Sequence, residues 1–214
     1  MRFYQTSLGK KVVMAVTGAV MFGFLVTHCA GNLQVFEGAE KMNDYAVLLR
    51  KFGAALWIAR LVLLVSVVLH IVAAIQLTKL NSDARPVAYV RKESVQASYA
   101  SRTMMWSGPI ILAFLIYHLL HMTFGTVHPD FQELHPYENV VTGFQVPVVS
   151  IAYIVAMLML GFHLYHGAWS MFQTLGVNHP RYTPILKRAS AIVTVLLIAG
   201  FISVPLAVMT GVVS

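Results

Sequence analysis

Five apolar stretches dominate this chain, and each is long enough to cross a bilayer as a helix. They cover about residues 12–33, 56–77, 104–125, 146–172 and 189–213, and a hydrocarbon core needs about 20 apolar helical residues. Composition agrees. Of 214 residues, 58% are hydrophobic and 11% charged, against about 25% charged in soluble chains, so the chain cannot wet a soluble surface. The expected fold is all-α and integral to the membrane, a single domain over 1–214 with five transmembrane helices. A secreted disulfide scaffold and a disordered tail are excluded, and the single Cys29 cannot close an intrachain disulfide. The net charge of +7 points to loops held at the cytoplasmic face rather than to nucleic acid. Polar breaks fall at 37–44, 81–93, 128–138 and 178–188. No repeat, low-complexity tract or soluble domain stands out. The first stretch exceeds a signal-peptide apolar core and no A-x-A-like site follows it, so it is expected to stay as a helix.

Lys and Arg divide unevenly between alternate loops. One side holds Arg2, Lys10, Lys11, Lys79, Arg85, Arg91, Lys92, Arg102, Arg181, Lys187 and Arg188. The other holds Lys41, Arg50 and Lys51, with Arg60 just inside the second span, and 126–145 has no Lys or Arg. The positive-inside rule then places the N-terminus in the cytoplasm and the C-terminus outside.

Depth separates the carboxylates from the histidines. Glu37, Glu40, Asp44, Asp83, Glu93, Asp130, Glu133 and Glu138 all lie between spans, which weakens a proton-coupled transporter built on buried carboxylates. By contrast His28, His70, His118, His121, His163 and His166 lie within spans, leaving His128, His135 and His179 in loops. One such imidazole could serve only to bridge two helices, a bond worth about 1 kcal/mol. Six, spread over four consecutive helices and absent from the fifth, point to function.

Helix rise shows which histidines can meet. His28 lies about 25 Å beyond Lys11 and His118 about 24 Å beyond Arg102, both in the outer half. On the returning helices His70 is about 14 Å short of Lys79 and His163 about 16 Å short of Thr174, both in the inner half. Two layers result, about 10 Å apart on this reckoning. Facing neutral imidazoles at one level make a bis-histidine haem site, and four-helix cores hold such cofactors. Two layers predict two b-type haems in a bundle of the first four helices, with the fifth serving packing. No C-x-x-C-H occurs, so covalent c-type attachment is excluded.

His121 and His166 stand one turn beyond His118 and His163, roughly on the same faces. His121 sits nearer the outer interface than His28, which favours His118; between His163 and His166 depth does not choose. The remaining member of each pair can bond a haem propionate, contact quinone or satisfy a neighbouring helix. Gly18, Gly23, Gly108, Gly161 and Gly167 allow close helix packing or make room for a porphyrin plane.

These residues carry a resemblance. The segments T-G-A-V-M-F-G-F-L-V-T-H-C-A-G-N, L-H-I-V-A-A-I-Q-L, R-T-M-M-W-S-G-P-I-I-L-A-F-L-I-Y-H-L-L-H and G-F-H-L-Y-H-G-A-W-S-M-F-Q-T-L-G resemble the five-helix, di-haem cytochrome b anchor of succinate:quinone oxidoreductases. The likeness runs over essentially the whole chain. It implies that His28, His70, His118 and His163 are the axial ligands, pairing His28 with His118 and His70 with His163. The His70–His163 haem would lie near the iron–sulfur subunit and the His28–His118 haem far from it. It also implies a flavoprotein and an iron–sulfur subunit as partners, a prokaryotic inner membrane, and a higher oligomer of the complex as one arrangement. The chain would pass electrons through two b haems to a quinone, menaquinone being the family's commoner partner, and would do no chemistry on succinate itself. Lys10, Lys11, Arg91, Lys92, Arg102, Lys187 and Arg188 offer a basic dock, though positive-inside bias alone gives the same residues.

For the quinone, Ser7, Lys11 and Arg102 are candidates on the inner side, and Glu37, Glu40, His121 and His128 on the outer. An acidic residue that some fumarate reductases of this type carry at the outer end of the second helix has no clear counterpart. Two rivals stand beside this reading: the cytochrome b anchor of a hydrogenase or formate dehydrogenase, and a haem-free transporter with a histidine relay.

Overall fold

The computed structural model describes residues 3–84 and 99–214. Its α-helices are α1 (Ser7–Leu33), α2 (Ala39–Lys51), α3 (Ala54–Asp83), α4 (Tyr99–Met122), α5 (Pro136–Phe144), α6 (Pro147–Thr174) and α7 (Thr183–Met209). No strand occurs among the described residues. Five of the helices, α1, α3, α4, α6 and α7, are long and apolar enough to cross a membrane, and they are the five expected spans. Arg2, Arg85, Arg91, Lys92 and Glu93 lie outside the described residues.

The helices overrun the apolar stretches because their ends are fixed by polar contacts. Thr6 caps α1 by accepting the Gly9 N–H at 3.0 Å, a bond that satisfies one orphan donor of the first turn. Lys10 is buried, and its ammonium donates back to the carbonyls of Tyr4 and Gln5 at 2.9 and 3.2 Å. Tyr4 in turn donates to Gln76 of α3 at 3.0 Å. The start of α1 is thereby pinned beside the end of α3, as antiparallel neighbours require.

Segments 37–44 and 126–145, expected as plain connections, contain the start of α2 and all of α5. Both helices are short and amphipathic, so no length criterion finds them. Pro136 opens α5, where its missing N–H costs nothing, while Arg50 and Lys51 sit in the last turn of α2, the favourable end for cations. Asn43 joins the two helices, donating to Glu138 at 2.9 Å and accepting the Tyr137 N–H at 3.2 Å. Tyr137 donates to the carbonyl of Ser214 at 3.2 Å. The α1–α3 and α4–α6 connections and the C-terminus therefore share one side, opposite the N-terminus.

Around the bundle the order is α3, α1, α6, α4, with α7 packed on α6 and α1. Along the two diagonals, α1 with α4 and α3 with α6, the backbones stay apart. Burial concentrates instead where α7 meets the bundle: Ala156, Met157, Leu160 and Leu164 pack on Leu197, Ile198, Phe201 and Cys29. The fifth helix is indeed a packing element. Gly200 lets it approach α1 closely, since a Cβ there would stand 2.7 Å from Cys29 Sγ.

Candidate functional site

Side chains cross the diagonals that the backbones leave open. His28 of α1 faces His118 of α4 with ring centres 5.8 Å apart and planes at 77°. His70 of α3 faces His163 of α6 at 6.3 Å and 55°. These are the two pairs expected from sequence. Their layers are further apart than the expected 10 Å or so. Thr17 of α1 and Ser107 of α4 touch the second pair, and each stands eleven residues before the histidine that its helix gives to the first. At 1.5 Å per residue that is about 16 Å. The shorter figure took Lys11 and Lys79 as level, but His70 meets Thr17, six residues from Lys11, and stands nine residues from Lys79, so Lys79 lies about 5 Å further toward the N-terminal side.

Each ring is held by its Nδ1 edge or by aromatic neighbours. His70 Nδ1 lies 3.1 Å from the Met14 carbonyl and 3.2 Å from Thr17 Oγ1. A carbonyl can only accept, so Nδ1 carries the proton and Nε2 keeps its lone pair. Thr17 spends its own proton on the Val13 carbonyl at 2.8 Å, so its oxygen can share in accepting from His70. Gly18 lies beside this ring, a Cβ there standing 3.5 Å from His70 Cε1. His163 Nδ1 is 3.3 Å from Ser107 Oγ, which is buried and bonded to the Met104 carbonyl at 3.4 Å. His118 Nδ1 is 3.3 Å from the Tyr153 hydroxyl. Phe24 stacks on His28 at 5.1 Å, Phe114 on His118 at 5.8 Å, and Phe201 lies 5.9 Å from His28.

Among the described residues no three His, Cys, Asp or Glu converge, whereas all-protein metal sites use three or four ligands. The donors come as opposed pairs. Metal–imidazole bonds of about 2.0–2.1 Å place two rings on opposite faces of one metal with centres roughly 6 Å apart, and both pairs meet that span. Such a donor set fits a metal whose other positions belong to a planar group. A Cβ at Gly23, Gly108 or Gly167 would meet nothing within 4 Å, so these glycines leave room along the helix faces. Gly161 does not: its Cβ would stand 3.3 Å from Ile198, and it serves α6–α7 packing.

His121 is fully buried, outside both pairs. It stacks on Tyr117 at 5.4 Å, bonds Tyr153 through Nδ1 at 2.9 Å, and its Nε2 has no hydrogen-bond partner among the described residues. His128 lies 4.7 Å from it, accepting the Asp130 N–H at 3.1 Å and donating to the Asn139 carbonyl at 2.8 Å. His166 is half-buried, one turn from His163, and belongs to neither pair. A pocket of about 180 Å³ opens beside the first pair, lined by His28, Asn32, His118, Met122, Thr123, Pro136 and Asn139.

The remaining candidates are dispersed. Ser7, Lys11 and Arg102 are exposed, and no hydrogen bond or ion pair joins them; Glu37 and Glu40 are exposed on the opposite side. Lys10 is turned inward and leaves the basic dock, while Lys187 lies over the Trp169 ring at 4.4 Å. Reading the sequence for ionisable groups missed Thr17, Ser107, Tyr153 and the Met14 carbonyl. The three side chains are small or amphipathic and common in spans, and a carbonyl leaves no sequence signature.

Compared with known protein families, with curated proteins and with solved structures, the chain matches none.

Proposed function

We propose that the chain is a membrane-embedded electron-transfer subunit for two b-type haems, one of which His28 and His118 would hold and the other His70 and His163. The observation that carries this reading is the pair of opposed imidazoles on each open diagonal, at 5.8 and 6.3 Å. Bound haem iron would supply reversible one-electron chemistry at two levels of the bilayer.

The chain's own work is to hold the ligands neutral, oriented and dry. The Met14 carbonyl, Thr17 and Ser107 hold the second pair by Nδ1, which fixes the tautomer and raises ligand basicity. Phe24, Phe114 and Phe201 pack against the rings of the first pair. The sequence resemblance supports an anchor of succinate:quinone oxidoreductase, with a flavoprotein and an iron–sulfur subunit docking on the N-terminal side. Lys11, Arg102, Arg181, Lys187 and Arg188 are there to receive them, and positive-inside bias supports calling that side cytoplasmic. In this reading a quinone, menaquinone by resemblance, takes its electrons at the pocket beside His28 and His118, where Asn32 and Thr123 offer polar groups. Succinate itself never meets the chain.

A histidine relay without haem draws on one observation of its own, the His118–Tyr153–His121 chain of hydrogen bonds. Those bonds all lie at the level of the first pair, and the second pair is about 16 Å away along the helices.

Purification from native membranes tests the reading. The expected result is a b-type reduced-minus-oxidised spectrum and co-purification with a flavin-bearing and an iron–sulfur subunit. A nickel- or molybdenum-bearing partner would contradict the succinate assignment, and a featureless spectrum would contradict the haems.

A further inference from the structure

Tyr153 stands where the first histidine pair meets the buried His121, and its one hydroxyl faces two ring nitrogens. The distances are 3.3 Å to His118 Nδ1 and 2.9 Å to His121 Nδ1. The ring is locked edge-on between Phe114 at 4.9 Å and Phe144 at 4.8 Å, so the hydroxyl cannot swing to another partner. A phenol has a single proton. It can donate to one of these nitrogens and must accept from the other.

Two arrangements satisfy that rule, and they differ in what His118 can do. If Tyr153 donates to His118, Nδ1 holds the lone pair, Nε2 holds the proton, and the ring has no lone pair to offer His28's side. If Tyr153 accepts from His118, Nδ1 carries the proton and the Nε2 lone pair is free. The hydroxyl then donates to His121 Nδ1, and His121 becomes the Nε2–H tautomer. Of the two, only this second arrangement leaves His118 a free Nε2 lone pair to offer toward His28, as a ligand ring requires.

We propose that Tyr153 is the positioning residue of the first haem site, holding His118 in its ligating tautomer and passing that hydrogen bond on to His121. The inference rests on the two-haem reading and adds a residue that acts through His118 without touching the iron. A donor–acceptor chain of this kind makes the ligand more basic and thereby favours the oxidised metal. Removing the acceptor should therefore raise the midpoint potential of that haem alone.

The test is a redox titration of the purified complex carrying Tyr153→Phe, with haem content measured on the same samples. The phenylalanine keeps the ring packing and removes only the hydroxyl. The expected result is two haems per chain and one midpoint potential shifted upward, belonging to the haem lost in His118→Ala, with the other unchanged. Should Tyr153→Phe assemble poorly, His121→Leu reads the same chain from its far end and is expected to raise the same potential by a smaller amount. Two haems with both potentials at wild-type values in both variants would overturn the proposal and leave the two-haem reading intact. A shift confined to the haem lost in His70→Ala would overturn it as well. Wild-type protein without haem would overturn the two-haem reading, and this inference with it.

Discussion

His70 shows how little freedom a paired imidazole in this bundle retains. One nitrogen is committed to the Met14 carbonyl, Gly18 packs beside its Cε1 edge, and the opposite ring is His163 at 6.3 Å. Thr17→Val removes the second acceptor at Nδ1 and keeps the first. The account expects both haems to remain, with an upward shift of the His70–His163 potential only, read by redox titration. Gly143 makes a different prediction. Gly143→Ala sets a methyl against two imidazoles at 2.9–3.1 Å, an overpacking that costs about 1–3 kcal/mol. Thermal unfolding of the purified protein should register the loss, and His128→Ala should recover part of it. Six histidines were legible in the sequence because an ionisable group inside an apolar span stands out, and the resemblance, not depth, chose His163 over His166 for the pairs seen here. Their hydrogen-bond partners were not, since they depend on how each helix is rotated about its axis. Ser107 reads as an ordinary serine until α4 is seen to turn it toward His163.

At the scale of elements, α7 carries no histidine and yet shapes the site. Its Phe201 lies against His28, and its Gly200 admits Cys29 of α1. Gly200→Ala would force apart two helices whose contact positions His28, at an expected cost of about 1–3 kcal/mol. Cys29→Gly in the same chain should restore most of it, because the sulfur is what the new methyl would meet. Thermal melts of the two single variants and the double variant check this, non-additivity being the expected outcome. The five spans were legible by length alone. The short helices α2 and α5 were not, because nine and thirteen residues of mixed polarity give no signal that separates them from a loop. Depth was legible in rank and wrong in amount: the pairing survived, while the layer spacing grew from about 10 to about 16 Å once the contacts of Thr17 and Ser107 replaced loop charges as the reference.

For the whole molecule, an odd number of crossings puts the termini on opposite sides. Tyr4 is tied to the end of α3 and Ser214 to α5, so each terminus marks its own face. In a Cys29→Ala background, Ser214→Cys is expected to react with a membrane-impermeant thiol reagent on intact cells, and Ser7→Cys only after the cells are opened. The reverse pattern would invert the assignment of the basic face to the cytoplasm. The central claim is narrower than topology or partners: four histidines on two diagonals hold two haems. A pyridine haemochrome assay on the purified chain and on His28→Ala, His70→Ala, His118→Ala and His163→Ala measures it directly. The account predicts two protohaems per wild-type chain. His28→Ala and His118→Ala should lose one spectral component, and His70→Ala and His163→Ala the other, with His121→Ala and His166→Ala keeping both. One haem or none in the wild-type chain, or His28→Ala and His163→Ala erasing the same component, would contradict it.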